Sequence, residues 1–123
     1  DPSCRDMEGE NPLYPPQAKC FARCASVGPC ILVQSKPPAP TTRIILGIER
    51  GGASVFSGET TISQLKRTPE ELVGFLYRDN TFPAGALLMT GTGIVPGDDF
   101  TLKSGDVVKI SIDGIGTLQN VME

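Results

Sequence analysis

The chain reads as a mainly β, α+β protein: a mixed β-sandwich or β-roll that carries one main helix. Three observations predict this. Two segments alternate apolar and polar residues around turn-forming glycines: Ile44–Glu49 with Ala53–Glu59, and Val108–Ile112 with Ile115–Val121. Period-two alternation across a tight turn is the signature of a hairpin. Between the two hairpins, a single stretch carries clear helix-start signals. A doubly wound parallel sheet needs strands alternating with helices, so dominance by hairpins favours a sandwich or roll.

Taken in order, residues 1–19 hold Pro2, Pro12, Pro15 and Pro16 without strong periodicity and read as loop with short extended pieces. Residues 20–34 are more apolar, and Cys30-Ile31-Leu32-Val33 predicts a short buried strand. Lys36-Pro37-Pro38-Ala39-Pro40 is a stiff extended connector, since consecutive prolines cannot join a ladder. From Thr42 the pattern turns to β, with Gly51-Gly52 as the first hairpin turn. Thr68 predicts an N-cap, Pro69 the first helical position and Glu71 the return half of a capping box. That helix should bury Leu72, Val73, Phe75, Leu76 and Tyr77 and end near Asp79-Asn80. Ala86–Met89 predicts a short buried strand leading into Thr90-Gly91-Thr92-Gly93. Asp113-Gly114 then supplies the positive-φ turn of the last hairpin. The whole is one domain, in which residues 1–41 form a chemistry-bearing loop and linker and residues 42–123 the β-rich core.

Composition narrows the function. With 39% hydrophobic and 20% charged residues, the chain fits a globular protein with one modest core. A net charge of -3 gives no electrostatic case for nucleic acid or an anionic membrane as partner. No apolar stretch is long enough to span a bilayer. The cysteines, Cys4, Cys20, Cys24 and Cys30, crowd into the first quarter, which points to free thiols in a reducing, cytoplasmic setting. A zinc site from Cys20, Cys24 and Cys30 is the sharper alternative, but the spacing lacks paired knuckles and no histidine exists as a fourth ligand. Without histidine, neither a Ser-His-Asp nor a Cys-His nucleophile system can be assembled. Proton transfer must fall to carboxylates, lysine or metal-bound water.

Two segments carry the chemistry. In the first, Asp1, Asp6, Glu8 and Glu10 are hard oxygen ligands of the kind a divalent cation takes. Arg5 has the fork to grip a carboxylate, and Lys19 the charge to neutralise an enolate or the amine to take a proton. The plain alternative is a charged surface loop. In the second, Thr90-Gly91-Thr92-Gly93-Ile94-Val95-Pro96-Gly97-Asp98-Asp99 invites a phosphate-loop reading. The spacing fails, because Pro96 stands where the third glycine belongs and no Lys-Ser/Thr pair follows. Gly91 and the Thr92 hydroxyl are better suited to a close approach to a bound anion. Here the plain alternative is a glycine-rich turn after a strand.

The run Asp1-Pro2-Ser3-Cys4-Arg5-Asp6-Met7-Glu8-Gly9-Glu10-Asn11-Pro12-Leu13-Tyr14, with Gln17-Ala18-Lys19, resembles the fumarylacetoacetate hydrolase family. So do Leu88–Pro96 with Asp98-Asp99-Phe100, Gly105-Asp106-Val107-Val108, and Ile112–Leu118. Glu8-Gly9-Glu10-Asn11-Pro12-Leu13-Tyr14 resembles in particular the branch of 2-keto-3-deoxy sugar-acid dehydratases. The resemblance implies the mixed β-roll of that family's C-terminal type, a homodimer, and Mg²⁺ (or Mn²⁺ or Ca²⁺) held by three or four carboxylates. It also implies small 2-oxo acid substrates. By motif position, Asp1 matches the last metal-binding aspartate. Arg5 and Lys19 match residues lining the pocket, and Thr92, beside Gly91, matches a threonine at the substrate carboxylate. Glu8 stands where some members carry a pocket glutamine.

These correspondences give an expectation for each role: Lys19 and Glu8 catalytic, Arg5, Thr92 and Gly91 substrate-binding, Asp1 metal-binding. In the family the Glu-x-Glu ligands precede the matching aspartate, so the chain is expected to be the C-terminal part of a larger catalytic domain, incomplete without an N-terminal portion. Its function is then that of a sugar-acid dehydratase or C–C hydrolase working through a metal-stabilised enolate. The alternative is a truncated, non-catalytic homologue serving as a folded or oligomerising module.

Overall fold

A computed structural model describes residues 1–123. Its elements are α1 (Arg5–Glu10), α2 (Pro15–Ala18), β1 (Arg43–Arg50), β2 (Ala53–Thr61), a 3₁₀ turn (Ile62–Gln64), α3 (Pro69–Tyr77), β3 (Val107–Ile112) and β4 (Gly116–Val121). The strands form one sheet in the order β2-β1-β3-β4, with every neighbouring pair antiparallel. The α+β class with two hairpins is therefore what the chain adopts.

Each hairpin forms where its turn chemistry allows. Gly51 and Gly52 have φ of 57° and 82°, a pair of positive values that few residues other than glycine accept. Gly114 closes the second hairpin at φ 80°. A bulge between Ile48 and Glu49 leaves Val55 unpaired on β2.

The register sorts the sheet into two faces. Ile44 pairs with Thr60 and Ile112, Leu46 with Gly58 and Ile110, and Ile48 with Phe56 and Val108. Leu118 opposite Ile110 extends this apolar face onto β4. The other face is polar: Lys109 Nζ lies 2.6 Å from Glu49 Oε1, and the Ser111 and Thr117 hydroxyls are 2.7 Å apart. Such a division is expected of an antiparallel sheet with one face turned to a core.

That core is thin. Ala18, Ile48 and Ile94 are the buried apolar residues, joined by the buried carboxylate of Asp106. The accessible surface is 9068 Å² for 13.0 kDa, against about 6,300 Å² for a folded monomer of that mass. The difference is more than a standard protein interface buries, and large apolar side chains such as Leu13, Val33 and Leu87 are among those exposed. No helix is long and apolar enough to cross a membrane.

Four local expectations are corrected. Residues 1–19 hold two short helices, because Pro15 and Pro16 occupy the first positions of α2, where a missing N–H costs nothing. Asp6 and Glu8 favour the first turn of α1 through the helix dipole. Cys30–Val33 is no strand: Ile31 and Val33 are 75% and 88% exposed, with Pro29 and the Lys36–Pro40 strap on either side and no strand edge paired to them. Ala86–Met89 is likewise irregular and exposed, between Gly85 and Gly91 at φ 83° and 85°. Helix α3 ends at Tyr77, and Val73, Phe75 and Tyr77 are about half exposed, on a side where Arg78 lies over the Phe75 ring and Phe82 meets Tyr77. Thr68 does cap it, accepting from Glu71 N at 3.1 Å.

Candidate active site

The helices α1 and α2 fold back on each other to build the first part of the site. Cys4 N donates to Ala18 O at 2.9 Å, and Ala18 is fully buried beneath this closure. The return brings Lys19, the C-cap of α2, beside the start of the chain. Its ammonium lies 3.4 Å from Asp1 Oδ2 and 3.7 Å from Glu8 Oε1, and it donates to the Ser3 hydroxyl. The three charged side chains are between 31% and 39% exposed, so solvent screens them partly and a small ligand can reach them. Three predicted residues thus meet, and Ser3 joins them. Asp6 and Glu10 are exposed and take no part.

Arg5 leaves α1 in another direction. Its Nη1 donates to Pro96 O at 3.2 Å and to Gly97 O at 3.0 Å, and its Nη2 to Asp98 Oδ1 at 2.6 Å. The glycine-rich loop is therefore attached to α1 through a guanidinium. Within the loop, Gly91 adopts φ 85°, and Thr92 Oγ1 accepts from Ile94 N at 3.0 Å, shaping the turn. Ile94 plugs into the sheet opposite Gly58, and Gly93 sits against Thr60.

The far end of the loop is anchored by the half-buried Arg50 on the buried carboxylate of Asp106. Arg50 binds both oxygens of Asp106 at 2.7 Å and reaches Thr101 O at 3.0 Å. Its guanidinium also lies 5.7 Å from the Phe100 ring, which in turn packs on Phe56. The hydrogen bonds from Arg50, and then the Lys103 N–H, hold the Asp106 carboxyl down at about 2. Neither Arg50–Asp106 nor Ser3 was assigned a role from sequence. Asp106 sits inside the Gly105-Asp106-Val107-Val108 motif, which is the available signal, whereas the Ser3–Lys19 contact depends on how two helices return.

A hard divalent cation fits these residues only in part. Asp1 offers a carboxylate of the right kind, but no group of three or more His, Cys, Asp or Glu side chains is arranged to hold a metal. The four cysteines are free and form no such group either.

Comparisons with known proteins bear on this arrangement. The family model for the fumarylacetoacetate (FAA) hydrolase C-terminal matches residues 1–123. A probable 2-keto-3-deoxyxylonate dehydratase of Haloferax volcanii is 45% identical over 121 residues, covering 98% of this chain and 42% of its own. A 2-dehydro-3-deoxy-D-arabinonate dehydratase of Saccharolobus solfataricus is 45% identical over 119 residues, covering 96% and 40%. The solved structure of 2-keto-3-deoxy-D-arabinonate dehydratase complexed with magnesium and 2,5-dioxopentanoate superposes with a TM-score of 0.92 at 43% identity, over 98% of this chain and 43% of that one. The chain spans less than half the length of these relatives.

Proposed function

The chain belongs to the fumarylacetoacetate hydrolase family, and on that premise we propose that the full-length protein is a sugar-acid dehydratase acting on a 2-keto-3-deoxy acid. The observation that carries this reading is the Lys19 ammonium set between the Asp1 and Glu8 carboxylates. It is supported by the relatives' names and by the magnesium and 2,5-dioxopentanoate of the superposed structure.

Dehydration of such an acid removes a proton α to the 2-oxo group and expels the β-hydroxyl as water. Mg²⁺ (or Mn²⁺ or Ca²⁺), with Asp1 among its ligands and the others drawn from outside these residues, would polarise the 2-oxo group when bound. Lys19 places a positive charge where enolate charge develops, so it stabilises that state more than the ground state. Glu8, within reach of Lys19, takes or returns the proton. Gly91 N–H and the Thr92 hydroxyl hold the substrate carboxylate, and Arg5 borders them through its bonds to the Pro96–Asp98 turn. A cytoplasmic homodimer belongs to the same proposal, supported by the apolar surface this chain leaves open.

The test is turnover of 2-keto-3-deoxy-D-arabinonate by the full-length protein with Mg²⁺, following 2,5-dioxopentanoate. Absence of turnover with every 2-keto-3-deoxy acid tried would overturn the reading. A second reading, a non-catalytic folded or oligomerising module, is favoured for these residues alone by their incomplete metal ligand set. Micromolar binding of Mg²⁺ and oxalate by the isolated chain, read by calorimetry, would remove it.

A further inference from the structure

Arg5 was expected to grip substrate, yet most of its fork is already engaged. Three of the five guanidinium donors go to Pro96 O, Gly97 O and Asp98 Oδ1, at 3.2, 3.0 and 2.6 Å. Two carbonyls and a carboxylate side by side suit a planar, rigid fork, and a lysine ammonium does not span them in the same way. The acceptors lie in the turn that follows Thr92, and that turn has two further supports. Upstream, Ile94 is buried opposite Gly58 and its N–H is held by Thr92. Downstream, Phe100 rests on Phe56 and Arg50. Both of these supports fix the loop to the sheet. The Arg5 fork instead fixes it to α1, the helix that also carries Glu8 beside Lys19.

We propose that Arg5 is a positioning residue: it clamps the Pro96–Asp98 turn to α1 and so keeps Thr92 in register with Lys19. This rests on the substrate site assigned above and assigns Arg5 a different task within it. The geometry gives each of its partners a reason. Asp98 is fully exposed, so its carboxylate is held by the fork rather than by burial. The Gly97 carbonyl also accepts the turn's own bond, from Phe100 N at 3.0 Å, so the fork and the turn meet at the same oxygen. Misplacing a substrate-holding group by about 1 Å is enough to cost a factor of about 100 in rate.

The experiment uses the full-length protein with Arg5→Gln, Arg5→Lys, Asp98→Ala and the double Arg5→Gln/Asp98→Ala. The clamp predicts that Arg5→Gln lowers kcat by a factor of about ten or more, with a smaller loss for Asp98→Ala. It predicts further that the double variant is no worse than Arg5→Gln, because the two act as one unit. Arg5→Lys keeps the charge and should not restore kcat. Amide exchange supplies a readout without substrate: the Ile94 and Phe100 N–H groups should exchange faster in Arg5→Gln and Asp98→Ala while the β1–β3 amides stay unchanged. A raised KM in Arg5→Gln with Asp98→Ala silent and loop exchange unaltered would overturn the clamp and restore direct substrate binding. If the unsubstituted protein turns over no 2-keto-3-deoxy acid, the functional reading fails, and the exchange data alone then decide the clamp. Should Arg5→Gln not fold, Arg5→Lys and Asp98→Ala give the same exchange comparison.

Discussion

Gly58 and Ile94 meet where no methyl group fits: a Cβ added at Gly58 would stand 2.5 Å from Ile94 Cγ2. The absence of a side chain on β2 is thus what lets the glycine-rich loop seat its one buried residue on the sheet. Gly58→Ala should displace Ile94 and destabilise the protein by about 1–3 kcal/mol, the usual cost of overpacking. Urea unfolding of the two proteins measures it, and a change of under about 0.5 kcal/mol would show that the loop has room to move.

Lys19 is the residue whose loss should hurt chemistry most with least harm to the fold. It is 39% exposed and its contacts are polar. Lys19→Met is expected to lower kcat by about 100-fold to 10,000-fold, the span seen for positioned proton-transfer and charge-stabilising groups. The melting temperature should change little. Steady-state kinetics on the full-length protein, beside a thermal melt, separates the two effects.

Asp106 gives stability a pH dependence with a definite sign. Its native pKa of about 2 lies below the unfolded value of 3.8, so the pair with Arg50 stabilises fully above pH ~4 and less and less as pH falls toward 2. Asp106→Asn should therefore be less stable than the parent at neutral pH. The gap should hold down to about pH 4 and narrow below it. Unfolding curves at pH 7, 4 and 2.5 test this, and a gap independent of pH would show that the carboxylate charge is irrelevant.

Thr68 makes one half of a capping box. It accepts from Glu71 N at 3.1 Å, while no bond returns from the Glu71 side chain. Thr68→Ala should cost about 1 kcal/mol, and Glu71→Ala should stay within about 0.5 kcal/mol. Equal losses from the two substitutions would mean that the return bond forms in solution.

The hairpins were legible because their signals are local. Alternation, the Gly51-Gly52 pair and Asp113-Gly114 each act over a few residues and need no partner elsewhere. Apolar runs such as Cys30–Val33 and Ala86–Met89 were misread for the opposite reason, since a strand exists only if an edge is there to receive it. Prolines at 15 and 16 misled as breakers, although at a helix start they lose nothing. In the site, Asp1, Glu8 and Lys19 were read from motif, and their meeting awaited the return of α2 onto Cys4. The Arg5–Asp98 contact joins positions 93 residues apart. No pattern within a short window reports such a pair.

The strand order β2-β1-β3-β4 has a consequence for how the molecule is made. Each hairpin closes over a short turn, but β1 must find β3 across everything from the second strand to Val107, including α3 and the glycine-rich loop. Closing that span costs chain entropy before the β1–β3 ladder repays it. We therefore expect the two hairpins to form early and their union to be the slow event, with the glycine-rich loop taking shape only after the sheet beneath it exists. Folding kinetics of Gly51 and Gly114 variants against an Ile48→Val variant would decide the order. An Ile48 contact already formed in a transition state that lacks both turns would reverse it.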